Sequence, residues 1–325
     1  MQDLHHGKEI YLFFGIYGIN GIIGIIISQI IIGIIVYKTL KVSKENNIEN
    51  YSDFSKHINK TSKINEITKK IINIFLLLSF YVMVAGFSAY FSQELGIPNI
   101  IGTIIIILLC YITFMGNIEG IIKINTILIP ILMIFIIILA TKNINAFENI
   151  NNKIIQPNFF KSVYSAILYS SYNSITLIPI VITLKKHIKS QQQIKIISIL
   201  VIITLSILAI SIYGLILKVD IDINKLELPT VYVAGMNGKI YKLIYGGIIL
   251  VAIFTSSIAA GYSILENYID NPKKYKKMAI IMCTSGILVS KIGFSTLINS
   301  LYPIFGLLGI IQILSLMKNN HTKTY

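Results

Sequence analysis

The chain has 325 residues, of which 54% are hydrophobic and 13% charged, and its mean hydropathy is +0.75. Soluble proteins contain about 25% charged residues, so this composition excludes an ordinary soluble domain. The formal charge of +14 comes from lysine, because the chain has no arginine. Lysines in the loops of a membrane protein face anionic lipid, so nucleic acid is not an expected partner.

Nine apolar stretches are long enough to cross the hydrocarbon core of a bilayer, which is about 30 Å thick. A tenth, residues 7–17, reaches only about half-way across, since a helix rises about 1.5 Å per residue. The pattern predicts an all-α polytopic membrane protein whose main partner is the lipid bilayer. The nine stretches are residues 19–38, 71–90, 100–115, 124–140, 159–184, 194–217, 240–264, 278–292 and 295–317.

Most lysines lie in alternate loops, above all in the loop formed by residues 41–70. Basic residues remain on the cytoplasmic side of a membrane, so we expect these loops and the C-terminus to be cytoplasmic and the protein to lie in the plasma membrane. Within the first loop, residues 51–67 are predicted to form an amphipathic helix at the membrane surface. On the opposite side, residues 226–238 are predicted to form a short interfacial helix or a lid.

The stretch 159–184 has polar residues in its middle, where a membrane helix is usually apolar. Pro179 follows them and removes a backbone hydrogen bond. The pattern favours a helix that breaks near the membrane midplane, as in many secondary transporters. The alternative is a mildly kinked helix whose polar side chains bond to neighbours. The polar residues are Tyr169, Ser170, Ser171, Tyr172, Asn173 and Ser174.

Two further groups of polar residues are candidates for function. Lys8 and Glu9 open the apolar half-stretch, and ionisable residues at membrane depth are functional candidates, although both could simply be the hydrated start of the chain. Thr255, Ser256 and Ser257 lie in the middle of the stretch 240–264. Their hydroxyls could bond back to their own helix or bind an alkali cation.

The regularly spaced glycines favour helix packing rather than chemistry, and the histidines do not suggest a metal site. Gly15, Gly18, Gly21 and Gly24 recur at every third position, a spacing that lets helices approach closely, and a turn near Gly18 would fold the half-helix back onto the next span. The histidines His5, His6, His57, His187 and His321 are scattered, so no metal site is expected.

The chain resembles the YkvI-type membrane proteins, a family similar to the amino acid–polyamine–organocation transporters. The resemblance covers essentially the whole chain, and the order and spacing of its segments make it more specific than any single segment. These segments are HGKEIYLFFGIYGINGIIGIII, VMVAGFSA, AILYSSYNSITLIP, LELPTVYVA, IFTSSIAAGYSILE and FSTLINSLYPIFGLLG.

The resemblance implies a LeuT-like fold of ten helices in one transmembrane domain, residues 1–325. Two inverted five-helix repeats would form it, about residues 1–141 and 158–317. Tyr172 and Asn173 would lie at the break of the sixth helix, Gly7 and Glu9 just after the break of the first, and Thr255 with Ser256 would resemble the hydroxyl pair of a sodium site.

The chain departs from this family at its N-terminus. Lys8 stands where the family usually has glutamine, and only five residues precede His6 where the first half of helix one is expected. The first helix is therefore predicted to be incomplete, either because the start is assigned too late or because the chain is a truncated paralogue.

These observations predict a secondary transporter of amino-acid-like small solutes. We expect Gly7, Glu9 and the group Ser170, Ser171, Tyr172 and Asn173 to bind the solute, and Thr255 with Ser256 to bind the coupling ion. That ion would be Na⁺ or H⁺, and no other cofactor is expected. No acid–base or nucleophile arrangement predicts an enzyme. The alternatives are a membrane sensor without transport activity, resembling a germinant receptor subunit, and an inactive truncated paralogue.

Overall fold

The computed structural model describes residues 7–59, 62–116, 119–153, 158–268 and 270–318, and all regular structure within these ranges is helical. His5, His6 and His321, together with the segment expected to complete helix one, lie outside the described residues. The α-helices are α1 (Lys8–Ile10), α2 (Ile19–Glu45), α3 (Tyr51–Ile58), α4 (Ser62–Leu95), α5 (Asn99–Met115), α6 (Glu119–Lys142), α7 (Phe159–Leu184), α8 (Gln191–Lys218), α9 (Pro229–Met236), α10 (Lys239–Leu265), α11 (Pro272–Ser290) and α12 (Phe294–Lys318).

Six helical segments of the described chain are long and apolar enough to cross a membrane: Ile19–Glu45, Asn65–Leu95, Phe159–His187, Gln191–Lys218, Lys239–Leu265 and Phe294–Lys318. The other three predicted stretches are also helical. Asn99–Met115 and Ile127–Lys142 are shorter apolar helices, and α11 begins with several lysines, which reduce its apolar length. The prediction of an all-α protein with several apolar helices is confirmed, whereas the division into two inverted repeats stays a prediction.

The half-helix at the N-terminus, residues 8–15, folds back onto α2 at Gly18. Residues Tyr11–Gly15 form a π-helix directly after α1, and Gly18 then adopts a φ of 56°, a left-handed conformation that disfavours other residues. Tyr213 of α8 donates a hydrogen bond to the Gly18 carbonyl oxygen at 2.8 Å. A Cβ atom at Gly24 would overlap the Ser162 hydroxyl, so the predicted turn and close packing are both found.

The helices form two neighbouring groups. In one, α7 packs against α2 and α12, and α8 packs against α2; in the other, α4 packs against α5, α10 and α11. The contact between α7 and α12 is especially close, because a Cβ atom at Gly309 would overlap the Ser171 carbonyl oxygen and one at Gly306 would lie 3.0 Å from the Leu168 carbonyl oxygen. Backbone therefore meets backbone along this pair of helices.

The loop between α2 and α4 differs from its prediction. Residues 51–67 do not form one helix, because α3 ends at Ile58 and Asn59 is extended, while α4 begins at Ser62. The Asn50 side chain accepts a hydrogen bond from the Asp53 N–H and so caps α3. Phe54 is fully buried and Ile58 nearly so, and both pack against the ends of α2, α7 and α12. The short helix is amphipathic, as expected, but it covers protein.

The loop between α8 and α10 contains the short helix α9, as the sequence predicted. Pro229 stands at the first helical position, where its missing N–H costs nothing. Thr230, Val231, Val233 and Ala234 are buried. This helix therefore lies inside the protein rather than at an interface with lipid.

Candidate functional site

Glu9 is a buried carboxylate with two tyrosine partners. Glu9 is only 1% exposed to solvent. Tyr172 donates a short hydrogen bond to Glu9 Oε2, and Tyr169 donates a longer one, 3.4 Å, to Oε1. Both tyrosines lie on α7, three residues apart and thus on one helix face. The half-helix and the centre of α7 meet at this carboxylate.

Aromatic rings surround the carboxylate. Tyr172 stacks on Phe13 with ring centroids 5.6 Å apart and on Tyr302 of α12 at 4.8 Å. Tyr169 meets Phe13 and Phe14 edge-on, at 5.5 and 5.3 Å. This cluster of five rings, the aromatic cluster, fixes the two hydroxyls that face Glu9. Ring faces are negative, so the cluster is suited to a cation beside a carboxylate.

Lys8 is also buried, at 1% exposure, but its side chain has a different environment. Its ammonium donates to the carbonyl oxygens of Ile223 at 2.9 Å and Leu226 at 2.7 Å, with a longer contact to that of Asn224. These residues belong to the loop that follows α8. Lys8 is therefore not a hydrated chain start. The acceptors of these hydrogen bonds are backbone carbonyls, and the carboxylates of Glu227 and Asp222 are close enough to act on its charge.

The same loop is bound by two more side chains. Gln93 of α4 accepts hydrogen bonds from the N–H groups of Glu227 and Leu228, at 2.6 and 3.0 Å. The Glu227 carboxylate accepts from the N–H and the hydroxyl of Ser295, at 2.8 and 2.6 Å, in the first turn of α12. The loop residues 223–228 thus connect α1, α4 and α12, and we call this set of contacts the outer clamp.

Tyr232 and Asp220 lie beside the outer clamp. Tyr232 donates a hydrogen bond to Asp220 Oδ1 at 2.9 Å. This hydrogen bond raises the pKa of the Tyr232 hydroxyl, because ionisation of the phenol would place two negative groups together.

The predicted break in the stretch 159–184 is wrong, since α7 is continuous through Tyr172, Asn173 and Pro179. Its polar side chains bond to their own helix. Ser170 donates to the Ala166 carbonyl at 2.6 Å, Ser171 to that of Ile167 at 2.7 Å and Asn173 to that of Tyr169 at 2.9 Å. These side chains thus share carbonyls that already accept a helix N–H, and they bond within α7 instead of lining a break.

The residues predicted to bind solute fall into three settings. Glu9 and Tyr172 meet directly. Ser170 and Ser171 are fully buried, and Ser170 also contacts the Ser28 carbonyl oxygen at 3.1 Å. Gly7 has a φ of 77°, and a Cβ atom there would lie 2.9 Å from Thr230 of α9. Gly7 therefore lies where both the backbone conformation and the contact with α9 favour glycine.

Thr255 and Ser256 lie on α10, which packs against α4, α5, α6 and α9. Thr255 is buried and donates to the Ala252 carbonyl oxygen of its own helix at 3.0 Å. The next residue, Ser257, contacts the Cys110 thiol at 3.2 Å. The hydroxyl pair thus belongs to the second group of helices, whereas Glu9 belongs to the first.

Sequence reasoning missed several residues at these sites. Phe13, Phe14 and Tyr302 were not singled out, because aromatic residues are common in apolar spans. Gln93 and Glu227 were missed because their partners are more than 60 residues distant in the chain. The spacing of Tyr169 and Tyr172 was the one available signal. Among the described residues, no three His, Cys, Asp or Glu side chains come together as metal ligands would.

The fold defines a membrane protein with several apolar helices and a buried carboxylate beside aromatic rings. No protein-family model matches the chain. It is homologous to the uncharacterized membrane protein YkvI of Bacillus subtilis (strain 168), with 27% identity over 318 residues, which is 96% of this chain and 90% of that protein. The uncharacterized protein YyaD of the same organism is 22% identical over 316 residues, again 96% of this chain and 90% of the relative.

Proposed function

We propose that this chain is a secondary transporter of small amino-acid-like solutes in the cytoplasmic membrane, with its C-terminus on the cytoplasmic side. The observation that supports this proposal best is the buried Glu9 carboxylate, whose partners are two tyrosine hydroxyls. An ionisable group at membrane depth is costly, and it is usually retained because it binds something. A carboxylate among aromatic faces suits a protonated amino group.

In this proposal, each residue of the site has a separate role. Glu9 binds the solute's ammonium group, and Tyr169 and Tyr172 hold the carboxylate in position before the solute arrives. Ser170 joins α7 to α2 through its hydrogen bond to the Ser28 carbonyl oxygen. Ser170, Ser171 and Asn173 are the further polar groups that we assign to the solute. Alternating access would proceed by rocking of one helix group against the other, and the outer clamp would have to open for solute to enter from its side.

Uptake into proteoliposomes tests the proposal. The wild-type protein should accumulate a labelled amino acid saturably, and Glu9→Gln should reduce uptake about 100-fold, because a neutral amide cannot pair with an ammonium group. The matched control is Glu266→Gln, which changes an exposed carboxylate at the end of α10 and should leave uptake unchanged. Absence of saturable flux in the wild-type protein would contradict transport, and tight binding without flux would favour the sensor alternative.

The proposal also assigns Thr255 and Ser256 to the coupling ion, Na⁺ or H⁺. Hydroxyl oxygens beside helix carbonyls are ligands suited to an alkali cation, and both residues are buried. Replacing both by alanine should abolish the dependence of uptake on a sodium gradient while leaving solute binding measurable. Unchanged uptake with unchanged ion dependence in the double variant would refute the assignment.

A further inference from the structure

A cavity of about 390 Å³ lies between α2, α7 and α8, and Tyr169 of the aromatic cluster forms part of its wall. Such a volume is within the range of ligand cavities in proteins. Its wall is formed mainly by branched aliphatic side chains, among them Val36, Leu177, Val181 and Val201. A polar solute would lose most of its hydration against this largely apolar wall, so the wall favours a hydrocarbon chain.

The cavity is long and has two different ends. On α2 it extends from Gln29 to Leu40, about 16 Å at the rise of an α-helix. At the end marked by Gln29, Tyr169 and Asn173 already have hydrogen-bond partners. The Gln29 amide donates to Ser28, but its Oε1 accepts no hydrogen bond from the described residues. The opposite end, the loop end, reaches His187 and Ile188 in the loop after α7. The lining that the structure describes at the Gln29 end holds no cation, so an elongated molecule with one anionic group would place that group at the loop end.

The cavity also opens towards lipid. Ile180 and Leu184 line it and yet are 53% and 47% exposed. In a membrane-spanning helix such exposed apolar side chains face the bilayer, so a chain could enter sideways from a neighbouring lipid.

The loop end of the cavity is basic. Lys185, Lys186, His187 and Lys189 follow one another in the loop, and Lys186 and Lys189 are exposed. Lys185 donates a short hydrogen bond to Asn47 at the end of α2. Within the part of the chain that the structure describes, neither Lys186 nor Lys189 forms an ion pair. Two cations without a carboxylate partner thus lie beside an apolar cavity.

We propose that this cavity is a binding site for one acyl chain of an anionic phospholipid, with the phosphate held at Lys186 and Lys189. Basic pockets between membrane helices bind anionic lipid headgroups because lysine and phosphate attract each other, and each lysine near the surface adds to this attraction. The cavity shares Tyr169 and Asn173 with the proposed solute site, but retention of a lipid requires neither Glu9 nor a solute.

Fluorescence quenching by lipids with brominated acyl chains tests the site directly, because the chain has no tryptophan. Ile180→Trp places a fluorophore at the cavity. The matched control is Leu314→Trp, which like Ile180 lies four residues before the C-terminal end of its helix and is 62% exposed, but does not line the cavity. The protein is reconstituted in mixtures of brominated phosphatidylglycerol or brominated phosphatidylcholine with the unbrominated partner lipid.

At Ile180→Trp, the relative binding constant for phosphatidylglycerol should exceed that for phosphatidylcholine about tenfold, and at Leu314→Trp the two should be equal. Adding Lys186→Gln and Lys189→Gln to Ile180→Trp should remove the preference. Equal quenching by both lipids at both positions, or a preference that survives the lysine changes, would overturn the proposal.

Native mass spectrometry of the otherwise unchanged protein provides a second test. It should detect one retained phosphatidylglycerol, which Lys186→Gln with Lys189→Gln should lose. Equal retention by both proteins would also contradict the site. Because neither readout involves uptake, its failure would leave the proposed transport function untouched.

Discussion

Lys8 and Glu9 are neighbours in the chain, yet their environments differ in kind. The Lys8 ammonium bonds to backbone carbonyls of one loop, whereas the Glu9 carboxylate bonds to the side chains of two tyrosines. Backbone partners stay where the fold puts them, but hydroxyl groups can rotate and exchange partners. The comparison teaches that burial of an ionisable group is not by itself a sign of chemistry. The type of its partners separates a structural charge from a candidate binding charge.

Replacing Lys8 by alanine tests the structural half of this comparison and should have the larger effect on stability. The change leaves the Ile223 and Leu226 carbonyl oxygens without a donor in a buried place, so the free energy of unfolding should fall by about 3 kcal/mol. Chemical unfolding in detergent measures this, with Lys239→Ala, an exposed lysine on α10, as the matched control. A loss no greater than that of the control would show that the outer clamp does not depend on Lys8.

Replacing Tyr172 by phenylalanine tests the Glu9 half of the comparison, and the free-energy change it causes should be smaller than that of Lys8→Ala. The ring remains stacked between its neighbours, so stability should hardly change, but Glu9 loses its closer donor. Solute affinity should fall about fivefold, corresponding to about 1 kcal/mol for one hydrogen bond. The matched control is Tyr169→Phe, whose hydroxyl is farther from the carboxylate. If Tyr169→Phe weakened solute binding more than Tyr172→Phe, the proposal that Tyr172 contributes more to solute affinity would be wrong.

The sequence predicted the parts of this molecule that depend on local chemistry. Apolar length predicted the helices, and Gly18 predicted a turn. The position of Glu9 in an apolar segment made it a functional candidate, but a hydrated chain start was an equal alternative. The sequence could not show that α7 is unbroken, because the serine hydroxyls have equally good partners in a broken helix and in a continuous one. The close approach of α12 at Gly309 accompanies the continuous form, and that contact is made by residues far apart in the chain.

The separate settings of Lys8 and Glu9 could not be predicted for the same reason. The Lys8 partner Ile223 is 215 residues distant in the chain, and the Glu9 partner Tyr172 is 163 residues distant. Periodicity and hydropathy describe one segment at a time, so they can identify an unusual residue but not its partner. Only packing of the two helix groups decides which buried charge meets a loop and which meets an aromatic ring.

The glycines of α12 have a mechanical consequence. Gly306 and Gly309 bring the backbones of α7 and α12 into direct contact, and Tyr302 of α12 stacks on Tyr172 of α7. Two helices so closely packed cannot slide past each other without steric overlap, so they move as one rigid unit. Any movement that carries Tyr172 away from Glu9 must carry Tyr302 with it. The backbone changes that allow such a movement must lie outside the contact between α7 and α12.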